Sequence, residues 1–551
     1  MGRKKAANII VDILEREDVR FIFGIPGGST LPIYDALLSS EKVSHVLTRL
    51  EMGASYMADA YSRVTGNLGV CMATVGPGAV CLPPGVLAAQ IDSIPLIAIT
   101  GNLRSPLLQR NAQMKFDHAQ YFTAITKWSV QVDTSAQVPE IFERAIQVAR
   151  GPRPGAVHIN FPSDVLLGEV DYDIHRLQKS SAGPRPSVAK IEKAVKLLSN
   201  SSRPIIWAGG GVILADAQSQ TQELAEVLAA PVATSYNGRG SIPEDHPLSI
   251  GRTGQFTPAW KSKVIQQADV VLTVGFRFTD VSTWNWSLPS SDSKVIQVDI
   301  DPSEIGKNCR VEIGIIADAR DALSEMIRIL KAAKPFNSEY RQEWARQVQQ
   351  EKEEWARKIS SKVNSDASPL KPQRIMKELR EVLPRDAIVT AEAGFCKEWP
   401  SSMLPIYQPR TWIHPAGLTP MGYSVAGAIG AKLAKPNSRV VAITGDGAFQ
   451  MISPEMMTAV ENDLPILVCI LNDRSHGMIR FDQVRDYGGR ITETEFHKIP
   501  DFVKLAESYG ARGQKIDRAT EIREALVEGL RSDVPFVLDF VVDRNEVPGF
   551  A

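Results

Sequence analysis

Residues 440–473, VVAITGDGAFQMISPEMMTAVENDLPILVCILND, read as strand, helix, strand, and no other stretch limits the fold of the chain so tightly. The first apolar run ends at Asp446 and the second at Asp473, with a helix-length interval between them. Two strands joined by such a crossover are parallel and right-handed, and a parallel sheet has to be covered by helices on both faces. The ends that carry Asp446 and Asp473 then lie side by side on the edge where doubly wound sheets bind ligands. Within the interval, Ser453 is placed to cap the helix, Pro454 suits its first turn, Glu455 favours its positive end and Pro465 restarts the chain beyond it. Two carboxylates 27 positions apart can therefore meet one cation. With a nearby backbone carbonyl and a diphosphate they would complete the roughly six oxygens that Mg²⁺ takes. Gly445 and Gly447 let the backbone approach a phosphate closely, and the lack of His or thiolate partners disfavours zinc. GDG alone is a frequent turn, so the signal lies in the whole spaced unit.

The same rhythm runs through the chain. Apolar runs at 21–25, 70–75, 96–100 and 156–161 alternate with helical stretches, then again at 204–210, 231–236, 270–276 and 295–300, and again at 387–394, 440–447, 466–473 and 536–542. The polar, proline-bearing segment 171–190 reads as a linker. Residues 339–362, crowded with Gln, Glu, Lys and Arg and carrying Trp344 and Trp355, read as an exposed helix leading to a linker near Ser368-Pro369. At about 150 residues per domain, 551 residues allow three or four units. The expected architecture is α/β, with three doubly wound parallel-sheet domains at 1–170, 186–335 and 366–551.

Lys plus Arg number 62 against 63 Asp plus Glu, which removes the basic excess that nucleic-acid or anionic-membrane binding requires and favours small-molecule chemistry. Cys71, Cys81, Cys309, Cys396 and Cys469 are scattered without a C-x-x-C pair, so a reduced cytoplasmic setting is expected rather than a disulfide framework or structural zinc. The basic N-terminus runs straight into an amphipathic helical pattern, so no signal peptide is expected, and no run reaches membrane-spanning length.

Four further segments join the unit at 440–473. HPAGLTPMGYSVAGAIGAKLAKP (414–436) leads into a helix of small residues, AEAGFC (391–396) follows a strand, TRLEMGASYMADAYSRVTG (48–66) opens a helix at Glu51, and VGPGAV (75–80) is a Gly-Pro-Gly turn. With FGIPGG, TKW at 126–128 and GPRPGAVHINFP, these motifs cover nearly the full chain, and together they resemble the thiamine-diphosphate (ThDP) and Mg²⁺-dependent enzymes of the acetolactate synthase type. The resemblance implies a pyrimidine-binding domain, a central domain and a diphosphate-binding domain. It gives the metal-ligand roles to Asp446, Asp473 and the carbonyl of Ser475, with Asp473 standing where many members carry Asn. Ala393, Gly394, Phe395, Cys396, Thr419, Gly445, Gly447, Ala448, His476, Gly477 and Met478 would lie near the cofactor, and Met421 would be the apolar wedge that bends it. Pro77 would sit near the pyrimidine, and Gln113 would be a further cofactor-binding residue. Glu51 would be the catalytic glutamate, hydrogen-bonded to the aminopyrimidine and exchanging a proton with its ring nitrogen. Read without the resemblance, Glu51 is a solvated helix-start acid and Met421 a core methionine.

The implied reaction is decarboxylation of a 2-oxo acid, pyruvate first among them, with transfer of the two-carbon unit to an acceptor. The first domain of one subunit and the third of another would share the cofactor, making a homodimer the minimum assembly and a homotetramer the next. The segments WAGGGV (207–212) and VGFRFTDVST (274–283) resemble the region that holds a non-redox FAD, and an empty nucleotide fold accounts for them equally. Three departures concern the acceptor. Asp482 stands where biosynthetic members carry Trp, Ser163 where a Lys is frequent, and a Phe-Gln-Glu segment is missing around 111–120, where Gln113 is the stand-in. A simple 2-oxo acid decarboxylase, an acyl-CoA lyase, a glyoxylate-type carboligase and a non-catalytic nucleotide-binding homologue remain the alternatives.

Overall fold

The computed structural model describes residues 3–171, 183–332 and 339–549, and forms three α/β domains in chain order. Much of the segment read as a linker at 171–190, and position 335 at the expected end of the second domain, lie outside the described residues. The first domain carries β1 (Arg3–Lys5), β2 (Phe21–Gly24), β3 (Ser44–Leu47), β4 (Gly69–Ala73), β5 (Leu96–Asn102), β6 (Trp128–Gln131), β7 (Ala156–Pro162) and β8 (Glu169–Asp171). The second carries β9 (Pro204–Ala208), β10 (Val232–Thr234), β11 (Ser249–Arg252), β12 (Val270–Val274), β13 (Lys294–Asp299) and β14 (Ile313–Ile316). The third carries β15 (Ile388–Ala391), β16 (Trp412–Ile413), β17 (Val440–Gly445), β18 (Leu467–Asn472), β19 (Arg512–Ile516) and β20 (Phe536–Val541).

Each domain is built on one six-stranded sheet, and every pairing within the three sheets is parallel. The orders are β3-β2-β4-β5-β7-β6 in the first domain and β16-β15-β17-β18-β20-β19 in the third. Counted along each sheet's own strands these are the same order, 2-1-3-4-6-5, so the outer domains repeat one topology. The middle sheet runs β11-β10-β9-β12-β13-β14, which is 3-2-1-4-5-6, the order of dinucleotide-binding folds. All three expected sheets are thus present. A small antiparallel pair of β1 with β8 was not foreseen, being three residues on each side, all but Val170 exposed, and too short for a periodic signal. Its register sets Lys5 against Glu169 and Arg3 against Asp171, opposite charges across the pair.

The central strands are buried on both faces, as in β4, β5, β9, β12 and β18, because helices cover both sides. One apolar core is shared between two domains: Tyr56, Met57, Ala60 and Val64 of the first pack with Val425, Ala428, Ile429 and Met456 of the third. Two helices made mainly of small residues permit this, Glu51–Thr65 and Tyr423–Ala434. The first is buried continuously from Gly53 to Val64, and the second from Tyr423 to Lys432. A Cβ at Gly430 would stand 2.3 Å from the Met57 carbonyl oxygen, so glycine is needed there for the helix backbones to meet. A charged chain closes the junction. Arg63 lies between Asp59 (2.7 Å) and Asp92 (3.1 Å), the Tyr423 hydroxyl donates to Asp59 (2.6 Å), and Arg277 of the second domain reaches Asp92 (3.0 Å).

The helix Glu339–Lys358 departs from its reading as an exposed element. Trp344 and Val348 are buried in the second domain's core, with Trp355 packed against it, and the Trp344 indole donates to the Pro204 carbonyl (3.3 Å). Residues 344 and 355 are 11 apart, close to three helical turns, so both fall on one docking face of an otherwise polar helix.

We expect Gly430→Ala to lower stability by about 1–3 kcal/mol, the usual cost of overpacking. Denaturant unfolding of the variant checks this, and an unchanged midpoint would mean that the helices part without cost.

Candidate active site

The third sheet reverses its winding between β15 and β17, and ligands bind beyond the C-terminal strand ends at such a point. A cavity of about 170 Å³ lies there. Ala393 and Gly394 enter it from the end of β15, Gly445, Asp446, Gly447 and Ala448 from β17, and Leu471 and Asp473 from β18. Phe395, Cys396, Met421, Ser475, His476, Gly477 and Met478 complete the expected part of the lining.

Fourteen residues named from the sequence therefore share one cavity, and four do not. Thr419 lines a second cavity instead. Its left-handed backbone (φ 54°) and its hydroxyl bond to the Ala416 carbonyl (3.2 Å) turn it away from Met421, two residues on. Glu51, Pro77 and Gln113 belong to the first domain and line neither cavity. They gather elsewhere in part: Pro77 opens a short helix after Gly76 (φ 72°), a Cβ at Gly78 would stand 3.1 Å from Glu51 Oε1, and a Cβ at Gly76 would meet the Met114 side chain at 2.7 Å. Glu51 is half-buried and Gln113 exposed.

Electrostatics mark the two aspartates. Asp446 is buried, and its Oδ2 is among the buried side-chain atoms of the described residues that have no hydrogen-bond partner. Burial first, and then the facing Asp473 carboxylate, push Asp446 up to about 8. Burial pushes Asp473 up to about 6, against the backbone N–H of Ser475 that donates to its Oδ1 (2.9 Å). Two acids raised by burial in a dry cleft, one of them further by the other, are what a divalent cation relieves, so this donor set fits Mg²⁺. Among the described residues no cluster of three or more His, Cys, Asp or Glu forms a metal site, so the other oxygens would come from backbone, water and a phosphate.

Local structure corrects one detail of the crossover. β17 stops at Gly445, Asp446 opens the helix Asp446–Ile452, and a second helix, Glu455–Glu461, follows Pro454. Ser453 ends the first helix and makes no side-chain cap. Pro454 has no N–H for a continuous helical ladder, which accounts for the break. The sequence reading also omitted Asp543 and Glu546, which line the cavity just beyond β20. The rule that found Asp446 and Asp473, an acid at a strand's C-terminal end, would have found Asp543. Asp482 does not line the cavity, and it pairs with Arg485 at 2.8 Å.

The second cavity, about 260 Å³, lies at the winding reversal of the middle sheet, between β9 and β12. The glycine turns Gly210-Gly211 and Gly275 and the strand-end acid Asp299 line it, and the segments 207–212 and 274–283 both contribute. Lys397, Gly417 and Thr419 of the third domain and Asp92 and Arg153 of the first complete it, which sequence segments read one at a time could not indicate.

Comparison with known proteins comes to the same three-part division. Family profiles match in order: the thiamine pyrophosphate enzyme N-terminal TPP binding domain over residues 4–121, the central domain over 191–326 and the C-terminal TPP binding domain over 392–540. The chain is 39% identical to a probable acetolactate synthase large subunit of Methanocaldococcus jannaschii, over 98% of this chain and 92% of that one. It is 36% identical to an acetolactate synthase large subunit of Corynebacterium glutamicum, over 98% and 87%. A further one, of Cyanidium caldarium, is 35% identical over 98% and 94%.

A folded-state pKa raised above the unfolded value gives stability that is complete below the ordinary carboxyl range and is lost as pH rises through the folded value. For Asp446 that window runs from about 4 to about 8. In metal-free protein, Asp446→Asn should therefore gain Tm over the unmodified chain by several degrees between pH 5 and pH 8. Calorimetry in chelator checks this, and a gap that does not change with pH contradicts it.

Proposed function

This chain belongs to the thiamine pyrophosphate enzyme family, with the acetolactate synthase large subunits as its relatives, and from that premise we propose how its residues carry out ThDP-dependent decarboxylation of pyruvate and transfer of the two-carbon unit to a second 2-oxo acid. The observation that carries the proposal is the pair Asp446 and Asp473, two carboxyls raised by burial that line one cavity at a winding reversal. Bound ThDP supplies an electron sink for the electrons released when carbon dioxide leaves the 2-oxo acid.

The chain's own groups do the rest. Asp446, Asp473 and the Ser475 carbonyl would hold Mg²⁺ and with it the diphosphate, with Gly445, Gly447, Ala448, His476 and Gly477 lining the same cavity. Ala393, Gly394, Phe395, Cys396 and Met478 form the wall, and Met421 adds an apolar side chain that would pack against the cofactor. Leu471, Phe395, Met478 and Val542 make the pocket apolar, so it excludes water where charge develops. Glu51 holds and moves a proton at the pyrimidine ring nitrogen, with Pro77 and Gln113 beside it. Thr419 faces the central cavity and is assigned no contact with this group.

Glu51 reaches the aspartates in a homodimer, in which the first domain of one subunit meets the third of the other. In support, the carboxylate cavity of one chain is lined by third-domain residues alone. Apolar side chains also lie open on both halves, Val80 (48% exposed) and Met114 (47%) on one, Met451 (50%) and Ile479 (54%) on the other. For the central cavity we propose FAD: the strand order 3-2-1-4-5-6, the glycine turns and Asp299 suit a dinucleotide. A reducing cytoplasm is proposed as the setting, supported by five cysteines that are all free. No helix among the described residues is long and apolar enough to cross a membrane. Limits of 1–170, 186–335 and 366–551 are proposed for the three domains.

Incubation with pyruvate and mass detection of products tests the reaction, with acetolactate expected; acetaldehyde alone would reject carboligation. Glu51→Gln should keep the fold and most cofactor affinity while losing about 10²–10⁴-fold in turnover, the range for a lost acid–base group. Asp473→Asn should weaken Mg²⁺ binding less than Asp446→Ala, since an amide oxygen still coordinates. Titration calorimetry of both variants decides it, and equal losses would remove Asp473 from the metal shell.

A further inference from the structure

Glu455 is fully buried, with no exposed surface, although it lies nine residues beyond Asp446 on the crossover helix of the third domain. Its side chain does not stay in its own domain. Oε1 accepts the backbone N–H groups of Arg49 (3.1 Å) and Leu50 (2.9 Å), the two residues before Glu51. Leu50 is the N-cap of the helix Glu51–Thr65 and has no capping side chain of its own, so the glutamate supplies acceptors from another domain. Oε2 accepts the Thr458 hydroxyl (2.6 Å), which fixes the carboxylate. The next turns of the same helix hold the rest of the segment: Thr458 Oγ1 also lies 3.4 Å from the Leu47 carbonyl, and Arg49 pairs with Glu461 (2.8 Å). The fit is tight, since a Cβ at Gly53 would stand 2.1 Å from Glu455 Oε1.

We propose that Glu455 is a positioning residue for Glu51: by holding the amides of Arg49 and Leu50 it sets the start of the helix, and so the direction in which the Glu51 carboxyl leaves it. The proposal rests on Glu51 having the proton-handling role given above. It goes further in assigning the crossover a second task, since the element that bears Asp446 and Asp473 of one site also orients the Glu51 that serves the other site of the dimer. Two part-buried N–H groups that lose their acceptor have to find another, so the segment 47–50 has to rearrange when Glu455 is shortened. Glutamine keeps the acceptor oxygen, and the Thr458 hydroxyl can turn to accept from its amide, so Glu455→Gln should preserve the geometry.

Two readouts test the idea on the full chain. The first is amide hydrogen exchange in protein free of cofactor. Glu455→Ala should speed exchange across residues 47–53 at least tenfold, and Glu455→Gln should stay within threefold of the unmodified chain. The second is the rate at which the proton on the thiazolium carbon of ThDP, bound with Mg²⁺, exchanges for deuterium. It should fall at least tenfold in Glu455→Ala and recover in Glu455→Gln, while the affinity for ThDP and Mg²⁺ moves less than threefold. Unmodified rates in Glu455→Ala would overturn the proposal, as would equal losses in the alanine and glutamine variants. Should the alanine variant fail to fold, Gly53→Ala displaces the same carboxylate and is held to the same two outcomes. If Glu51→Gln leaves the deuterium exchange unchanged, the role of Glu51 itself is wrong; if Glu51→Gln abolishes it and Glu455→Ala does not, only the positioning role falls.

Discussion

Two carboxylates held close together and away from water are the constraint on which the rest of this molecule depends. Asp446 and Asp473 hang from the ends of adjacent parallel strands, and each is raised by burial, Asp446 further by its neighbour. Nothing in the folding of a sheet favours such a pair, and a cavity so lined is a cost that a bound cation offsets. The surrounding architecture maintains the cost: β17 and β18 are buried strands paired side by side, and they set the backbone of the two acids just beyond their C-terminal ends.

The outer domains repeat one strand order and are joined along a pair of helices rich in small residues, and this junction is what brings the first domain's helix start within reach of the third domain's crossover. Close backbone approach is the condition for it. A Cβ at Gly430 would meet the Met57 carbonyl and force the helices apart, and one at Gly53 would displace the Glu455 carboxylate. The middle domain is tied in by charge. Arg277 reaches Asp92 of the first domain, while Arg252 (3.0 Å) and Tyr236 (2.7 Å) converge on Glu398 of the third. Arg277 is half-buried and the other partners are buried, so these contacts fix orientation more than they add net stability, because each buried ion also loses its hydration.

Local patterns made the strands legible, and the limits of legibility follow from what is local. Runs such as 96–100 and 466–473 are long enough for period and composition to act, and the sheets they predict are present. The pair β1 and β8 is too short to show a period. The break at Pro454 was misjudged because Ser453 and Pro454 resemble the start of a helix, whereas the chain uses them between two. Trp344 was read as exposed because Gln, Glu, Lys and Arg outnumber the few residues that make its docking face. The strand-end rule found Asp446 and Asp473, with Gly445 and Gly447 beside them, and the family resemblance named the other expected residues that line the carboxylate cavity. Thr419 escaped it because a left-handed backbone two residues before Met421 sends neighbouring side chains to different cavities. Glu455 was assigned to the helix dipole because its true partners, Arg49 and Leu50, lie some four hundred positions away, a distance no sequence window spans.

The two cavities are not independent spaces. Cys396 lines one and Lys397 the other, from adjacent positions on the helix Phe395–Met403, and Met421 and Thr419 divide in the same way on the loop before the next helix. Lys397 is held by Glu398 (3.0 Å), which also receives the Tyr236 hydroxyl of the middle domain, so the shared wall is anchored from both sides. A rotation of that helix large enough to reshape the central cavity must carry Cys396 and Phe395 with it. Close-packed interiors transmit such displacements rather than absorb them. The wall therefore makes the shape of the carboxylate cavity a property of the whole three-domain chain, and the diphosphate-binding unit would not keep that shape if cut free of its neighbour.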